Sequence, residues 1–191
     1  KENNKIVSNC HKIPAKNFER KILSSNETVE ILSQTIQDLL RINRDLKIVF
    51  TVSPIRYLAF GAFENSVSKG NLFSAVNALL VSFSNVSYFP SYEIVMDELR
   101  DYRFYNEDML HPNSLAINYV FEKMAKVYFS EKTQELNRQI REIIQAGTHR
   151  PRNAESVAHK QFLAKYISKI QTLSAEFPLL NFQPEMKKLM Q

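Results

Sequence analysis

The sequence predicts an α/β protein, a parallel sheet sandwiched between helices and followed by a helical extension. Three observations carry this. Residues 47–54, KIVFTVSP, form a β-branched apolar run stopped by proline, the form of a central parallel strand covered on both faces. Residues 85–90, NVSYFP, repeat that pattern and also end in proline. Stretches with apolar residues at helical spacing lie before, between and after these runs, which is the alternation of a layered α/β domain.

Each element follows from local pattern. Residues 6–8 read as the end of a short buried strand, with Asn9-Cys10-His11-Lys12 at its C-terminal edge and Pro14 turning the chain away. Asn26 or Ser25 can cap a helix in which Val29, Leu32, Ile36, Leu39 and Leu40 share a face, ending near residues 43–45. After the strand at 47–54, Arg56 stands at the edge where open α/β sheets place ligands. The polar residues Glu64, Asn65, Ser66, Ser68, Lys69 and Gly70 predict a loop over 57–70, and Leu72, Ala75, Val76, Leu79 and Leu80 a second helix. A short helix over 93–99 follows the strand at 85–90. From Pro112, tolerated in a first turn, Leu115, Val120, Phe121 and Met124 continue as an amphipathic helix. Beyond about Ser130 the strand signal disappears. Residues 131–146 and 155–174 read as helices, and the ending FPLLNFQPEMKKLMQ as irregular with an apolar strip. The expected division is an α/β domain over 1–130 and a helical extension over 131–191.

Composition excludes several classes. The 191 residues are 44% hydrophobic and 24% charged, the balance of an ordinary globular chain. No apolar run reaches the roughly 18 to 20 residues of a membrane span, and the start has no signal-peptide pattern, so a cytoplasmic location is expected. The absence of Met at position 1 suggests a fragment or a processed form. With one cysteine, Cys10, no internal disulfide can form. Only Gly61, Gly70 and Gly147 are glycines, so neither the P-loop nor the dinucleotide fingerprint can be written, and no cofactor is expected. The net charge of +5 is spread through segments that also carry acids, which argues for solvated helix faces and against nucleic acid.

The chemistry-bearing stretch is FYNEDMLHPNSL, residues 104–115. A carboxylate three residues before a histidine, ahead of Pro112, can orient an imidazole as a general base. Asp108 could equally cap the next helix. Cys10 and His11, adjacent on an extended segment, point to opposite faces and have no second cysteine, which argues against a thiol nucleophile or a zinc pair; no metal site is expected. Arg56 suits an anionic substrate or a salt bridge to a neighbouring helix. His149 and His159 read as surface or packing residues, and Asp97, Glu98 and Asp101 as a solvated face.

The order of these clusters resembles an SGNH-type hydrolase, and within that group the GSCFA family. The segments NCHKIPAKNF (9–18), FTVSPIRY (50–57), ENSVSK (64–69) and above all YFPSYEIVMDELRDYRFYNEDMLHPNSLAINYVFEKM (88–124) carry the resemblance. It implies a three-layer α/β/α, flavodoxin-like hydrolase of esters, with His111 as the base and Asp108 as its orienting acid. By strand order Asn9 would match the oxyanion-hole asparagine, although Val7-Ser8-Asn9-Cys10 stands where the group has Gly-x-Asn-Asp; a strand-end residue bonding its own backbone is the alternative. The family's Gly-Ser-Cys-Phe-Ala motif, whose serine would be the nucleophile, does not occur in these residues and would lie upstream of Lys1, leaving this chain inert alone. A small-molecule, carbohydrate or lipid ester is the expected substrate. Acyl transfer, or a non-catalytic binding or scaffolding module, remain as rivals.

Overall fold

A computed structural model describes residues 6–7, 13–58, 61–151, 153 and 155–190. The chain divides into two compact units, Lys1–Phe121 and Glu122–Gln191. In order, the elements are α1 (Ser25–Ile42), β1 (Ile48–Phe50), α2 (Gly61–Ser82), β2 (Val86–Tyr88), α3 (Ser91–Glu93) running into a π-helical turn (Ile94–Glu98), α4 (Ser114–Tyr128), α5 (Glu131–Thr148), α6 (Val157–Glu176) and α7 (Gln183–Leu189). Short 3₁₀ turns occupy Ala15–Asn17 and Tyr102–Phe104.

In the first unit β1 and β2 pair in parallel, Ile48 opposite Val86 and Phe50 opposite Tyr88, joined through α2. The pairing continues past the strands, where the Phe89 N–H donates to the Phe50 carbonyl (2.9 Å) and the Ser91 hydroxyl to the Val52 carbonyl (3.2 Å). Ile36 of α1, Leu79 of α2 and Val86 of β2 are buried together, with Val29, Leu32, Leu40, Ile48, Phe50, Leu80 and Phe83 packed around them. Of the apolar stripe read from the sequence of α1, Val29, Leu32, Ile36 and Leu40 are turned to the sheet and α2, while Leu39 is exposed. Ser24, one residue before the expected caps, starts α1: its hydroxyl accepts from the Glu27 N–H while the Glu27 carboxylate accepts from the Ser24 N–H, a reciprocal capping box.

Four expectations are corrected. Ile6 and Val7 are exposed and outside any strand, so neither gains the burial that the strand end expected at 6–8 requires; Ser8 lies outside the described residues. The loop over 57–70 is helical from Gly61, which enters α2 at φ 76°, a backbone angle that only glycine adopts freely. Of its polar residues Asn65, Ser66 and Lys69 line a cleft, and Gly70 costs about 1 kcal/mol relative to alanine without breaking a helix of 22 residues. The helix over 93–99 is mostly a π-turn, closed by the Leu99 N–H donating to the Ile94 carbonyl five residues back (3.1 Å). Finally, the tail is not irregular throughout. Gln183–Leu189 forms α7, with Pro184 in its first turn and Lys187 and Lys188 in its last.

The second unit is helical. Ile143 and Ala146 of α5, Ile170 and Leu173 of α6, and Phe182 and Leu189 at either end of the α7 segment form its buried centre, with Phe162, Tyr166, Phe177 and Met186 packed on it. Ser130 and Ser156 cap α5 and α6 through their hydroxyls. The apolar strip of the ending is what closes this core.

Candidate functional site

The segment between the π-turn and α4 doubles back on itself. Tyr105 and Pro112 form an isolated antiparallel bridge, the Asn106 N–H donates to the His111 carbonyl (2.8 Å), and the Met109 N–H donates to the Asn106 carbonyl (2.9 Å). Residues 106–111 are thus a closed turn carrying Asp108 and His111. Met109, between them, sits at φ 60°, the left-handed region that non-glycine residues visit at a cost of order 1–2 kcal/mol. The hydrogen bonds on both sides hold it there.

Asp108 is the hub of this turn. One carboxylate oxygen, Oδ1, accepts the N–H groups of Leu110 (2.9 Å) and His111 (3.0 Å), and the other, Oδ2, meets His111 Nδ1 at 2.6 Å. These bonds hold the Asp108 carboxyl down at about 2, the backbone N–H of His111 contributing most, then that of Leu110, then the imidazole. An ionised carboxylate can only accept, so Nδ1 carries the proton and donates. In the neutral ring the lone pair then belongs to Nε2, which has no protein partner among the described residues. The His111 side chain is about half exposed, at 54%. The arrangement can take a proton at Nε2 and stabilise the imidazolium that forms.

Asp108 does not cap α4. That role belongs to Asn113, whose Oδ1 accepts from the N–H groups of Leu115 (3.1 Å) and Ala116 (3.2 Å). Its Nδ2 donates to the carbonyls of Arg103 (2.6 Å) and Tyr105 (3.3 Å), and its backbone N–H to the Phe104 carbonyl (2.9 Å). One side chain thereby ties the start of α4 to the strand side of the turn. Sequence reading passed over Asn113, though an asparagine directly after Pro112 and before an apolar-periodic run is a cap signal.

Beside the turn lies a hollow of about 320 Å³ lined by Pro54, Arg56, Arg100, Tyr105, Met109 and Leu110 among others. A second, of about 410 Å³, is lined by Asn65, Ser66, Lys69, Phe73 and Tyr92. Pro54, Arg56 and Met96 line both, so the two form one cleft over the C-terminal ends of β1 and β2. This is where a parallel sheet presents its ligand edge. Asp108 and His111 themselves do not line it; Met109 and Leu110, the residues between them, do. The π-turn supplies Val95 and Met96 to the wall, and Met96 is held by the Tyr105 hydroxyl against its sulfur at 3.7 Å.

The structure brings Arg56 to the cleft, exposed and without an ion pair or hydrogen bond among the described residues, so the expected salt bridge to a helix is not formed. Lys69 and Asn65, read as loop residues, stand one turn apart on α2 and face the cleft. Asn9, Cys10 and His11 lie outside the described residues. Glu98 accepts from the Tyr119 hydroxyl (2.7 Å), Asp101 caps the 3₁₀ turn at Arg103, and His149 and His159 stack with Phe162 in the second unit. Among the described residues no group of three or more His, Cys, Asp or Glu could hold a metal ion, and no helix is long and apolar enough to cross a membrane.

Comparison with known proteins agrees with the resemblance read from the residues. The model of the GSCFA family matches residues 1–124, and that of the GSCFA domain protein, C-terminal domain, matches residues 140–191. Searches of curated proteins and of solved structures found no match.

Proposed function

Since the chain belongs to the GSCFA family, we propose that it carries the base and the orienting acid of an SGNH-like serine hydrolase acting on an acyl or acetyl ester. The observation that carries this reading is the 2.6 Å contact between Asp108 Oδ2 and His111 Nδ1, with Nε2 without a protein partner among the described residues. A serine hydroxyl is a poor nucleophile until its proton is removed. In this reading His111 Nε2 takes that proton as the serine oxygen bonds to the ester carbonyl carbon. The imidazolium, stabilised by Asp108, then returns the proton to the departing alcohol, and water releases the acyl group by the same route in reverse. The serine is that of the Gly-Ser-Cys-Phe-Ala motif, which these residues do not contain and which in this reading precedes Lys1. Asn9 is the proposed oxyanion donor, and the two strands are proposed to belong to the sheet of a three-layer, flavodoxin-like domain over 1–130, with 131–191 as its helical extension. The reading is of a cytoplasmic enzyme, supported by the lone cysteine and by the lack of a membrane-spanning helix among the described residues.

The test is His111→Ala in a protein that includes the serine-bearing segment, assayed on short-chain p-nitrophenyl esters. Loss of general-base assistance lowers turnover by about 10² to 10⁴-fold. Unchanged turnover overturns the assignment. Absence of hydrolysis in the parent protein, with any ligand binding untouched by His111→Ala, favours a binding module on this fold. Product transfer to an added alcohol in preference to water identifies an acyltransferase, which shares the acyl-enzyme intermediate.

A further inference from the structure

Resting on the hydrolase reading, we infer that the hollow between α2 and the end of β1 is an oxyanion-binding subsite, so that the ester substrate carries a carboxylate or phosphate at its non-reacting end. Among the described residues, those lining this hollow of about 410 Å³ include two cations, Arg56 and Lys69, and no carboxylate. Small-ligand sites run from about 300 to 1,000 Å³, so a compact anion with a short hydrocarbon stem fits. The Arg56 guanidinium, a planar fork of donors suited to an oxyanion, has no protein partner among the described residues. Lys69 donates to the Ser53 carbonyl, which uses one of its three protons and holds the ammonium at the cleft. Asn65, one helical turn before Lys69, accepts the Tyr57 N–H on Oδ1 (3.0 Å), and its Nδ2 has no protein partner among the described residues.

The charge balance of the adjoining hollow points the same way. Arg56 also lines it, with Arg100, and its one acid, Asp101, is engaged by Arg103 through the backbone N–H (2.9 Å) and the guanidinium (3.4 Å). Burial pushes the Lys69 ammonium below its usual range, a cost that a bound anion offsets. Phe73 and Tyr92, edge to face at 5.1 Å, and Met96 give the hollow an apolar wall for the stem between anion and ester. Because Pro54, Arg56 and Met96 are shared with the hollow beside Met109 and Leu110, an anion held at Arg56 and Lys69 directs the rest of the molecule along the cleft towards the His111 turn.

Two measurements test this. Glutarate and inorganic phosphate are titrated separately into the chain while amide signals are followed. Saturable shifts confined to Arg56 and residues 65–70, weakened about ten-fold or more by Arg56→Ala and by Lys69→Gln, are expected for whichever anion fits. Glutarate alone identifies a carboxylate, phosphate alone a phosphoryl group, and shifts from neither overturn the subsite. In the protein that includes the serine-bearing segment, kcat/KM for mono-p-nitrophenyl glutarate is compared with that for the neutral p-nitrophenyl valerate. A preference for the anionic ester that falls about ten-fold in Arg56→Ala supports the subsite. Hydrolysis of both esters with a ratio that Arg56→Ala leaves unmoved overturns the subsite and leaves the hydrolase standing. Saturable anion binding with neither ester hydrolysed keeps the subsite and removes the hydrolase.

Discussion

At the residue scale, Asp108 does two jobs with its two oxygens. Oδ1 closes the turn on the backbone and Oδ2 orients the ring, and both favour the ionised carboxylate. The sign of its pH dependence follows. A carboxyl depressed from 3.8 to about 2 in the folded chain contributes stability that is present above the unfolded value and is lost as pH falls through about 2. The amide signals of Leu110 and His111 are expected to stay in place on acidification to pH 4, then move together as pH approaches 2; movement centred near pH 4 would contradict the hub. Met109 provides a second expectation. Met109→Gly, which suits φ 60°, leaves stability unchanged or raises it by about 1 kcal/mol in urea unfolding, whereas the β-branched Met109→Val lowers it by about 1–2 kcal/mol. The spacing of Asp108 and His111 showed that they could meet, and the resemblance assigned their roles. Neither showed the left-handed Met109, because positive φ is imposed by hydrogen bonds from Asn106, Leu110 and His111 and not by methionine itself.

At the element scale, α4 and the turn before it stand or fall on Asn113. Asn113→Ser keeps a hydroxyl cap for Leu115 and Ala116 but loses the bonds to the Arg103 and Tyr105 carbonyls, while Asn113→Ala loses both. Expected costs are about 1 kcal/mol for serine and about 2 kcal/mol for alanine. Both variants loosen the turn, which faster amide exchange at residues 106–111 would register; an alanine cost no larger than the serine one would mean that the cap is idle. The apolar stripe of α1 and the two strands were legible because each is a local pattern, although β1, short and with Val49 exposed, is not the strand covered on both faces that its composition predicts. Helix α2 was not legible in its first half, since Asn65, Ser66, Lys69 and Gly70 have the composition of a loop. In the helix Lys69 and Asn65 bond to Ser53 and Tyr57 in the segment after β1, a gain that local propensity does not contain. The π-turn is hidden for a related reason: an extra residue in a helical turn is tolerated where it sets Val95 and Met96 against the cleft, and no sequence signal marks it.

At the scale of the whole molecule, each unit has its own buried centre, and deletion at either is expected to act there. Leu79→Ala and Ile143→Ala each remove a side chain with no exposed surface and cost roughly 2–5 kcal/mol in chemical unfolding. Faster amide exchange is expected across α1, α2 and the strands for Leu79→Ala, and across α5, α6 and α7 for Ile143→Ala; a loss below about 1 kcal/mol at either would show that the clusters are not cores. The sequence by itself determined that this is an α/β chain with a helical C-terminal part, that Asp108 and His111 are spaced so that they can pair, and that the chain resembles the GSCFA family. All three rest on local periodicity or contiguous residues, which the chain displays without folding. Only the tertiary structure decided that Arg56, Lys69 and Asn65 meet at one cleft, that the cleft runs to the turn holding His111, and that α7 completes the second core. These depend on residues far apart in the chain meeting over the end of a parallel sheet or between helices, where packing and unpaired donors, not sequence spacing, fix the geometry.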